Sequence, residues 1–231
     1  TFAYLRRAGK AWNHKKVYRV YTLLRYNKRR KGKRRLPQRI KQPMVELTQI
    51  NECWSIDFMS DSLASGRKFR TFNVIDDYSR EVLAVEISTS LPSVRVIRIL
   101  DEIVLWRGKP KRIRMDNGPE FISKDFEIWC ETNEIEQVHT QPGKPTQNSL
   151  IERLNGSYRT DILDAYLFFD LDEVRLLTDE WIEEYNERRP HESLQNKTPK
   201  EWAETGSQAF FPGRAPGKKL EDSIIKENSL L

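Results

Sequence analysis

The sequence predicts an α/β domain: a five-stranded mixed sheet flanked by helices, preceded by a short, strongly basic helical segment. Three observations predict it. Apolar spacing is helical up to about residue 26 and changes to strict alternation from residue 53. Three alternating runs then follow one another through short turns, which reads as an antiparallel meander. Beyond them strands and amphipathic helices take turns along the chain, the pattern of a sheet covered on both sides.

The elements follow in order. In residues 1–26, Ala3, Leu5, Ala8, Trp12, Val17, Val20, Leu23 and Leu24 recur at helical spacing, broken near Gly9 and Asn13. Asn13 is expected to cap a second helix whose Val17–Leu24 stripe faces inward. Two short helices with a basic second one suit a helix-turn-helix fragment, and equally an ordinary basic hairpin. Residues 27–45 form a basic linker that Pro37 and Pro43 keep from being helical. From Cys53, CWSIDFMS alternates, with Trp54, Ile56 and Phe58 on one side and Ser55, Asp57 and Met59 on the other. FRTFNVI and REVLAVEIS are the next strands. Residues 93–107 have helical spacing, with Ser93 as the expected cap and Gly108 and Pro110 as the stop. KRIRMD is a strand, SKDFEIWCETN a helix capped by Ser123, and IEQVHT the fifth strand. After the loop 141–148, helical regions run over 148–165 and 172–189. The order β-β-β-α-β-α-β-α-α, spanning residues 46–204, is the skeleton of a ribonuclease H-like domain. Residues 205–231 lose periodicity and read as a tail.

Charge is divided unevenly. The formal net charge is +6, yet residues 1–45 hold sixteen Lys/Arg and no acid, leaving 24 bases and 34 acids for residues 46–231. Such asymmetry points to a polyanionic partner, nucleic acid or an anionic membrane surface. No run of about 18 apolar residues exists to span a membrane. Cys53 and Cys130, with no CxxC, make a disulfide framework or Cys-rich zinc site improbable and fit a reducing compartment. The chain opens on Thr1 within a helical pattern, which suggests a piece of a longer protein. No GxSxG, GxxxxGK[ST] or HExxH occurs, so serine hydrolase, P-loop and zincin readings fall away.

Three carboxylates stand at distinctive places. Asp57 sits mid-strand, where β propensity is poor and folding supplies no reason for it. Asp116 ends the fourth strand before a turn, where open sheets tend to place ligands. Glu152 lies early in a helix whose polar face carries Asn148, Glu152, Asn155 and Arg159, opposite an apolar stripe of Leu150, Ile151, Leu154 and Tyr158. Thirty-five residues separate Asp116 from Glu152. A few carboxylates on a rigid scaffold suit two Mg²⁺ ions about 3.5–4 Å apart, which activate an attacking hydroxyl and stabilise the departing oxygen of a phosphodiester. Asp61, Asp76 and Asp77, in or beside turns, suit local hydrogen bonding instead. The loop before Glu152 offers Lys144 for phosphate and Gln147 or Asn148 for bases, all expected to face solvent.

The segments WSIDF, FNVIDDYSR, RMDNGPEF, PGKPTQNSLIERLN and WIEEYNERRPHESLQNKTP together resemble the OrfB-type transposases of bacterial insertion sequences (insertion sequence family three), members of the DDE superfamily with the retroviral integrases. The resemblance covers roughly residues 1–204. It implies an integrase catalytic core in which Asp57, Asp116 and Glu152 are the catalytic and metal-binding triad, with Mg²⁺ as cofactor and Mn²⁺ as substitute. It implies cleavage that frees a 3′-hydroxyl at element ends, followed by strand transfer by that hydroxyl. The partners implied are duplex DNA, terminal inverted repeats and target, and a homodimer or larger synaptic assembly in the cytoplasm, at the nucleoid. DNA contacts are expected from Lys15, Lys16, Arg19, Arg29, Arg30, Lys31, Lys33, Arg34, Arg35, Lys144, Gln147, Asn148, Arg153 and Arg159. In the YNERRPH segment, Tyr185 is expected to pack on the sheet, and Arg188 and His191 to fix the Glu152 helix, with contact to DNA as the alternative.

Competing readings are a catalytically inactive or domesticated DNA-binding regulator, a nuclease for RNA–DNA hybrids, and, more distantly, a glycosidase using two carboxylates. The basic arm argues against the hybrid nuclease, and the scarcity of aromatic platforms near the acids against the glycosidase.

Overall fold

The computed structural model describes residues 1–26, 47–140 and 148–210. Among the expectations, those for the linker (Arg29, Arg30, Lys31, Lys33, Arg34 and Arg35), for Lys144 and Gln147, and for residues 211–231 lie outside the described residues.

Five strands form one sheet: β1 (Trp54–Ser62), β2 (Lys68–Asp76), β3 (Val82–Ser88), β4 (Arg112–Met115) and β5 (Glu136–His139). The spatial order is β3-β2-β1-β4-β5. The first three strands pair antiparallel through tight turns, whereas β4 runs parallel to β1, and β5 to β4. The parallel pairings need crossovers, and the chain supplies helices for them: α3 (Ser93–Arg107) between β3 and β4, and α4 (Lys124–Thr132) between β4 and β5. This is the mixed sheet anticipated from the periodicity.

Each face of the sheet buries its own core. Trp54, Ile56, Phe72, Val74, Ile113 and Met115 pack beneath the apolar stripes of α3 and α4. On the opposite face Met59, Phe69, Ile75, Val82 and Ile87 meet Ile151, Leu154 and Tyr158 of α5 (Ser149–Tyr158), and Val174 and Trp181 of α6 (Leu171–Glu183). β1 is therefore covered on both sides. Asp57 belongs to the face under α5, so it sits at the edge of a core rather than on a solvated surface.

Helix ends follow local chemistry. Ser123 caps α4 by accepting from the Phe126 N–H at 3.3 Å. Asp170 caps α6, accepting from the N–H groups of Asp172 and Glu173, both at 2.9 Å. Pro92, not Ser93, occupies the cap position of α3, with Ser93 as its first helical residue. The single helices expected over 148–165 and 172–189 each change winding: α5 continues as a π-helical turn Arg159–Leu163, and α6 as a second one, Glu184–Arg188. The expected loss of periodicity at 205 comes later, because α7 spans Pro199–Phe210. Its start is a reciprocal capping box: Thr198 Oγ1 accepts from the Glu201 N–H at 3.2 Å, and Glu201 Oε2 accepts from the Thr198 N–H at 2.9 Å.

The N-terminal segment forms α1 (Phe2–Arg7) and α2 (His14–Leu23), turned at Gly9 with φ +75°. Asn13 caps α2, its side chain accepting from the Lys15 N–H at 2.9 Å. The α2 stripe does not face inward as expected: only Val17 is buried, while Leu23 and Leu24 are exposed. Two helices cannot enclose an apolar stripe between them, and an apolar groove of about 300 Å³ stays open along Leu5, Val17, Val20 and Leu24. Arg7 pairs with Glu201, tying the segment to α7.

Candidate active site

Strand register determines where two of the acids sit. β1 and β4 pair in parallel with Trp54 opposite Ile113 and Ser55 opposite Arg114. Carrying that register forward two steps puts Asp116 beside Asp57, and in-register residues of parallel neighbours point to the same face. Asp116, just past the end of β4, accepts at Oδ1 from the Gly118 N–H at 2.9 Å. A Cβ on Gly118 would lie 3.0 Å from that same oxygen, so a side chain at this position would displace the carboxylate. Glu152 projects from the first turn of α5, where a negative charge suits the helix dipole. The burial of Ile151, Leu154 and Tyr158 seats the helix on β1 and β2 and leaves Glu152 exposed on its other side.

Asp57 is the inner member of the three. Its Oδ1 accepts from the Phe58 N–H at 2.8 Å and its Oδ2 from the Asn155 amide at 2.7 Å. Burial pushes the Asp57 carboxyl up to about 6, and the charges of Asp116 and Glu152 push it in the same direction. The two hydrogen bonds oppose that rise without cancelling it. Among the described residues none of the three carboxylates has a basic partner in ion-pair range, although sixteen such pairs occur elsewhere. Nor do any three His, Cys, Asp or Glu side chains among the described residues close into a metal cage. The donor chemistry still suits a divalent cation: three hard oxygen donors of like charge, two of which act on the third, with no ion-pair partner among the described residues.

Asn155 is itself held. Its Oδ1 accepts from the Asn73 amide at 2.7 Å, and Asn73 is fully buried on β2, directly opposite Asp57 in the β1–β2 ladder. A chain of amides thus runs Asn73 to Asn155 to Asp57. Asn73 escaped the sequence reading, although the signal was the one that singled out Asp57: a polar residue of poor strand propensity inside FNVI.

The remaining candidates separate into tied and untied groups. Lys15, Lys16 and Arg19 lie exposed on α2. Arg153 is exposed beside Glu152. Arg159 is engaged, bonded to Asp61 at 3.0 Å and to the Ser60 carbonyl at 2.9 Å. Asn148, expected to face solvent, is buried at the N-cap position of α5, the helix whose next turn seats Ile151 and Leu154 in the core. Asp76 accepts from the N–H groups of Asn51, Tyr78 and Ser79, the turn role its position suggests. Asp77 does more than serve a turn: it is buried and pairs with Arg114 at 2.6 Å across β1. Tyr185 packs on the sheet side as expected. The helix-fixing role expected of Arg188 falls to Arg189, which bonds Asp161 at 2.9 Å and Glu184 at 3.1 Å, while Arg188 pairs with Glu183 at the surface.

A five-stranded mixed sheet of order β3-β2-β1-β4-β5 with helices on both faces is the architecture of an integrase-type core, and the candidate acids lie on β1, just past β4 and on α5. Two family profiles, both described as integrase core domain, match residues 48–145 and 133–199. The HTLV-2 integrase catalytic core domain, solved in complex with magnesium, superposes with a TM-score of 0.54 over 67% of this chain and 97% of that one, at 22% identity. The insertion element IS407 uncharacterized 31.7 kDa protein of Burkholderia multivorans is 36% identical over 207 residues, covering 87% of this chain and 73% of the relative. The insertion element IS476 uncharacterized 39.2 kDa protein of Xanthomonas euvesicatoria is 38% identical over 193 residues, 83% of this chain, which spans only 55% of that relative's length. The chain belongs to the insertion-element transposases of the DDE, retroviral-integrase superfamily.

Proposed function

We propose that this protein is a DNA transposase that cleaves at insertion-element ends and joins the freed 3′-hydroxyl to a second phosphodiester. One observation carries the reading: Asp57, Asp116 and Glu152 come from three separate parts of the fold, the charges of Asp116 and Glu152 both act on Asp57, and none of the three has an ion-pair partner among the described residues. Asp57, Asp116 and Glu152 would hold Mg²⁺, two ions in all, with Mn²⁺ as a substitute. Bound there, the metal would supply Lewis-acid activation of the attacking oxygen and charge stabilisation of the departing one. Asp57, flanked by the other two acids, is the natural shared ligand. The Phe58 N–H and the Asn155 amide hold its oxygens in place, which pre-orients the carboxylate and limits its reorganisation on metal binding.

The exposed bases of α2 and the basic run in residues 27–45 supply the attraction for duplex DNA, terminal inverted repeats and target alike. Joining two ends requires two catalytic centres near each other, so a homodimer or larger synaptic assembly is the working unit. The setting is the bacterial cytoplasm, at the nucleoid.

The test is cleavage of terminal duplex DNA with Mg²⁺ by full-length protein carrying Asp57→Asn, Asp116→Asn or Glu152→Gln. Each substitution is expected to reduce cleavage to background while end binding persists. Full activity in any one of them removes that residue from the site, and an inactive parent protein that still binds ends supports the regulator reading.

A further inference from the structure

Arg153, the residue after Glu152, belongs with Arg80 and His191 to a basic group near the β2–β3 turn. Arg80 ends the turn between β2 and β3 with φ +63°, a left-handed conformation unfavourable for a side chain of this size. Its Nη1 donates to the Asp77 carbonyl, while its Nε is buried with no partner among the described residues. The carboxylate of Asp77 is already taken by Arg114. Among the described residues Arg80 has no ion-pair partner, and neither has Arg153, the neighbour of Glu152.

The segment after α6 completes the group. Asn186 clamps the start of β3 in both directions: its Oδ1 accepts from the Val82 N–H and its amide donates to the Val82 carbonyl, each at 2.9 Å. That docking sets Tyr185 and His191 close to Arg80, two residues upstream of Val82. His191 stands edge-on to Tyr185 at 4.8 Å between ring centroids, and its Nε2 is buried with no partner among the described residues. Two groups register the local potential. Burial holds the Arg80 guanidinium below its ordinary range against the opposing pull of Asp77, and Arg153 lowers it further. Burial, then Arg189, Arg80 and Arg153, push His191 down to about 4. Arg189 is paired with Asp161 and Glu184, whereas Arg80 shares the field of Asp77 with Arg114 and Arg153 has no ion-pair partner among the described residues.

We propose that Arg80 and Arg153, with neutral His191 packed beside them, form a binding site for one backbone phosphate of DNA. Two guanidiniums from different elements suit a phosphate because each presents a planar fork of donors to its oxygens. A protein carboxylate is a poor alternative occupant from nearby: the loop 141–147 that enters α5 contains no Asp or Glu. Arg153 follows Glu152 on α5, about 100° further around the helix, so the site adjoins the candidate acids without sharing their face. This inference rests on the transposase reading for its DNA, but its test does not need cleavage.

The experiment measures binding of the full-length protein to a short duplex carrying an element end, in EDTA, over a series of salt concentrations. Arg153→Gln, at an exposed position, and Arg80→Gln are each expected to weaken binding about 3- to 30-fold and to reduce the slope of log K against log salt by about 1. Unchanged melting temperatures verify folding; if Arg80→Gln melts early, Arg153→Gln alone decides. Arg98→Gln, exposed on α3 over the other face of the sheet, serves as a control and keeps the slope. A slope unaltered in Arg153→Gln overturns the proposal. So does a site filled by free phosphate alone, seen as stabilisation by inorganic phosphate that both arginine variants lose while DNA binding is unaffected. Lost slope in a protein that cuts no DNA would preserve the phosphate site and sink the transposase reading instead.

Discussion

The Asn155 amide donates to Asp57 Oδ2 at 2.7 Å while its own carbonyl oxygen accepts from buried Asn73. Since Asn73 occupies the acceptor end of Asn155, the donor end has to face the carboxylate. The amide is locked in the orientation that favours an ionised Asp57 ready to bind a cation. Asn155→Ala should raise the Mg²⁺ concentration needed for end cleavage about 10- to 100-fold, the usual effect of losing a partner that orients a metal ligand. Asn73→Leu should produce a similar shift alone and little more when combined with Asn155→Ala, since both act through one chain. Additive effects in the Mg²⁺ titration would separate Asn73 from the site.

Asp57 costs the fold stability in the absence of metal. Its carboxyl is raised to about 6 in the native protein, above its ordinary value of 3.8, so the native state holds a proton that the unfolded chain releases. Stability therefore falls as pH rises from about 4 through 6, and the full penalty persists above that window. Asp57→Asn should stabilise the metal-free protein by about 1–3 kcal/mol at pH 7 and show no difference from the parent below about pH 4. Added Mg²⁺ should stabilise the parent and leave the variant unmoved. Thermal unfolding at three pH values, with and without metal, checks the sign.

The Asp77–Arg114 pair crosses beneath β1 with both side chains largely buried. Removing one partner strands the other, so Asp77→Asn or Arg114→Met should each cost about 3 kcal/mol. Arg114 lies two residues before Asp116, so loosening β4 should also lower cleavage in Arg114→Met beyond what reduced folding explains. The double variant Asp77→Leu with Arg114→Met should recover most of the stability. Urea unfolding of the three proteins tests this; equal losses in single and double variants would contradict it.

Thr198→Ala removes the acceptor that starts α7 and should destabilise by about 1 kcal/mol. Because Glu201 also holds Arg7, the same change should loosen the N-terminal helices, read as faster amide exchange over residues 1–26. Exchange confined to α7 would show that the arm does not depend on it.

Much of the fold was legible because each strand and helix announced its period locally. Asp57, flanked by Trp54, Ile56 and Phe58, and Asp116 before its turn stood out for the same reason: they broke a pattern that packing would have kept apolar. Less was legible where the answer depended on what lies opposite. The sequence marks Asn148 as polar but cannot say that the chain tucks it inward. It offers Arg188 and Arg189 side by side without showing which one reaches Asp161. The α2 stripe reads as core, yet Leu23 and Leu24 have nothing to pack against among the described residues. Thr198-Pro-Lys-Glu201 was a readable helix start that alternation and apolar spacing alone passed over, because the helix it opens carries little apolar weight.

The order in which the three acids leave the ribosome has a consequence for synthesis. The sheet, with Asp57 and Asp116 in register, is complete by His139, whereas Glu152 arrives on a helix that is seated only through Ile151, Leu154 and Tyr158, with α6 packed beside it. A chain broken off after β5 keeps the strands and lacks the third of the acids proposed to hold metal. Under the proposed function, completion of the sheet and completion of the site are thus separate events in time, and an incomplete translation product would hold the basic arm without the full set of acids.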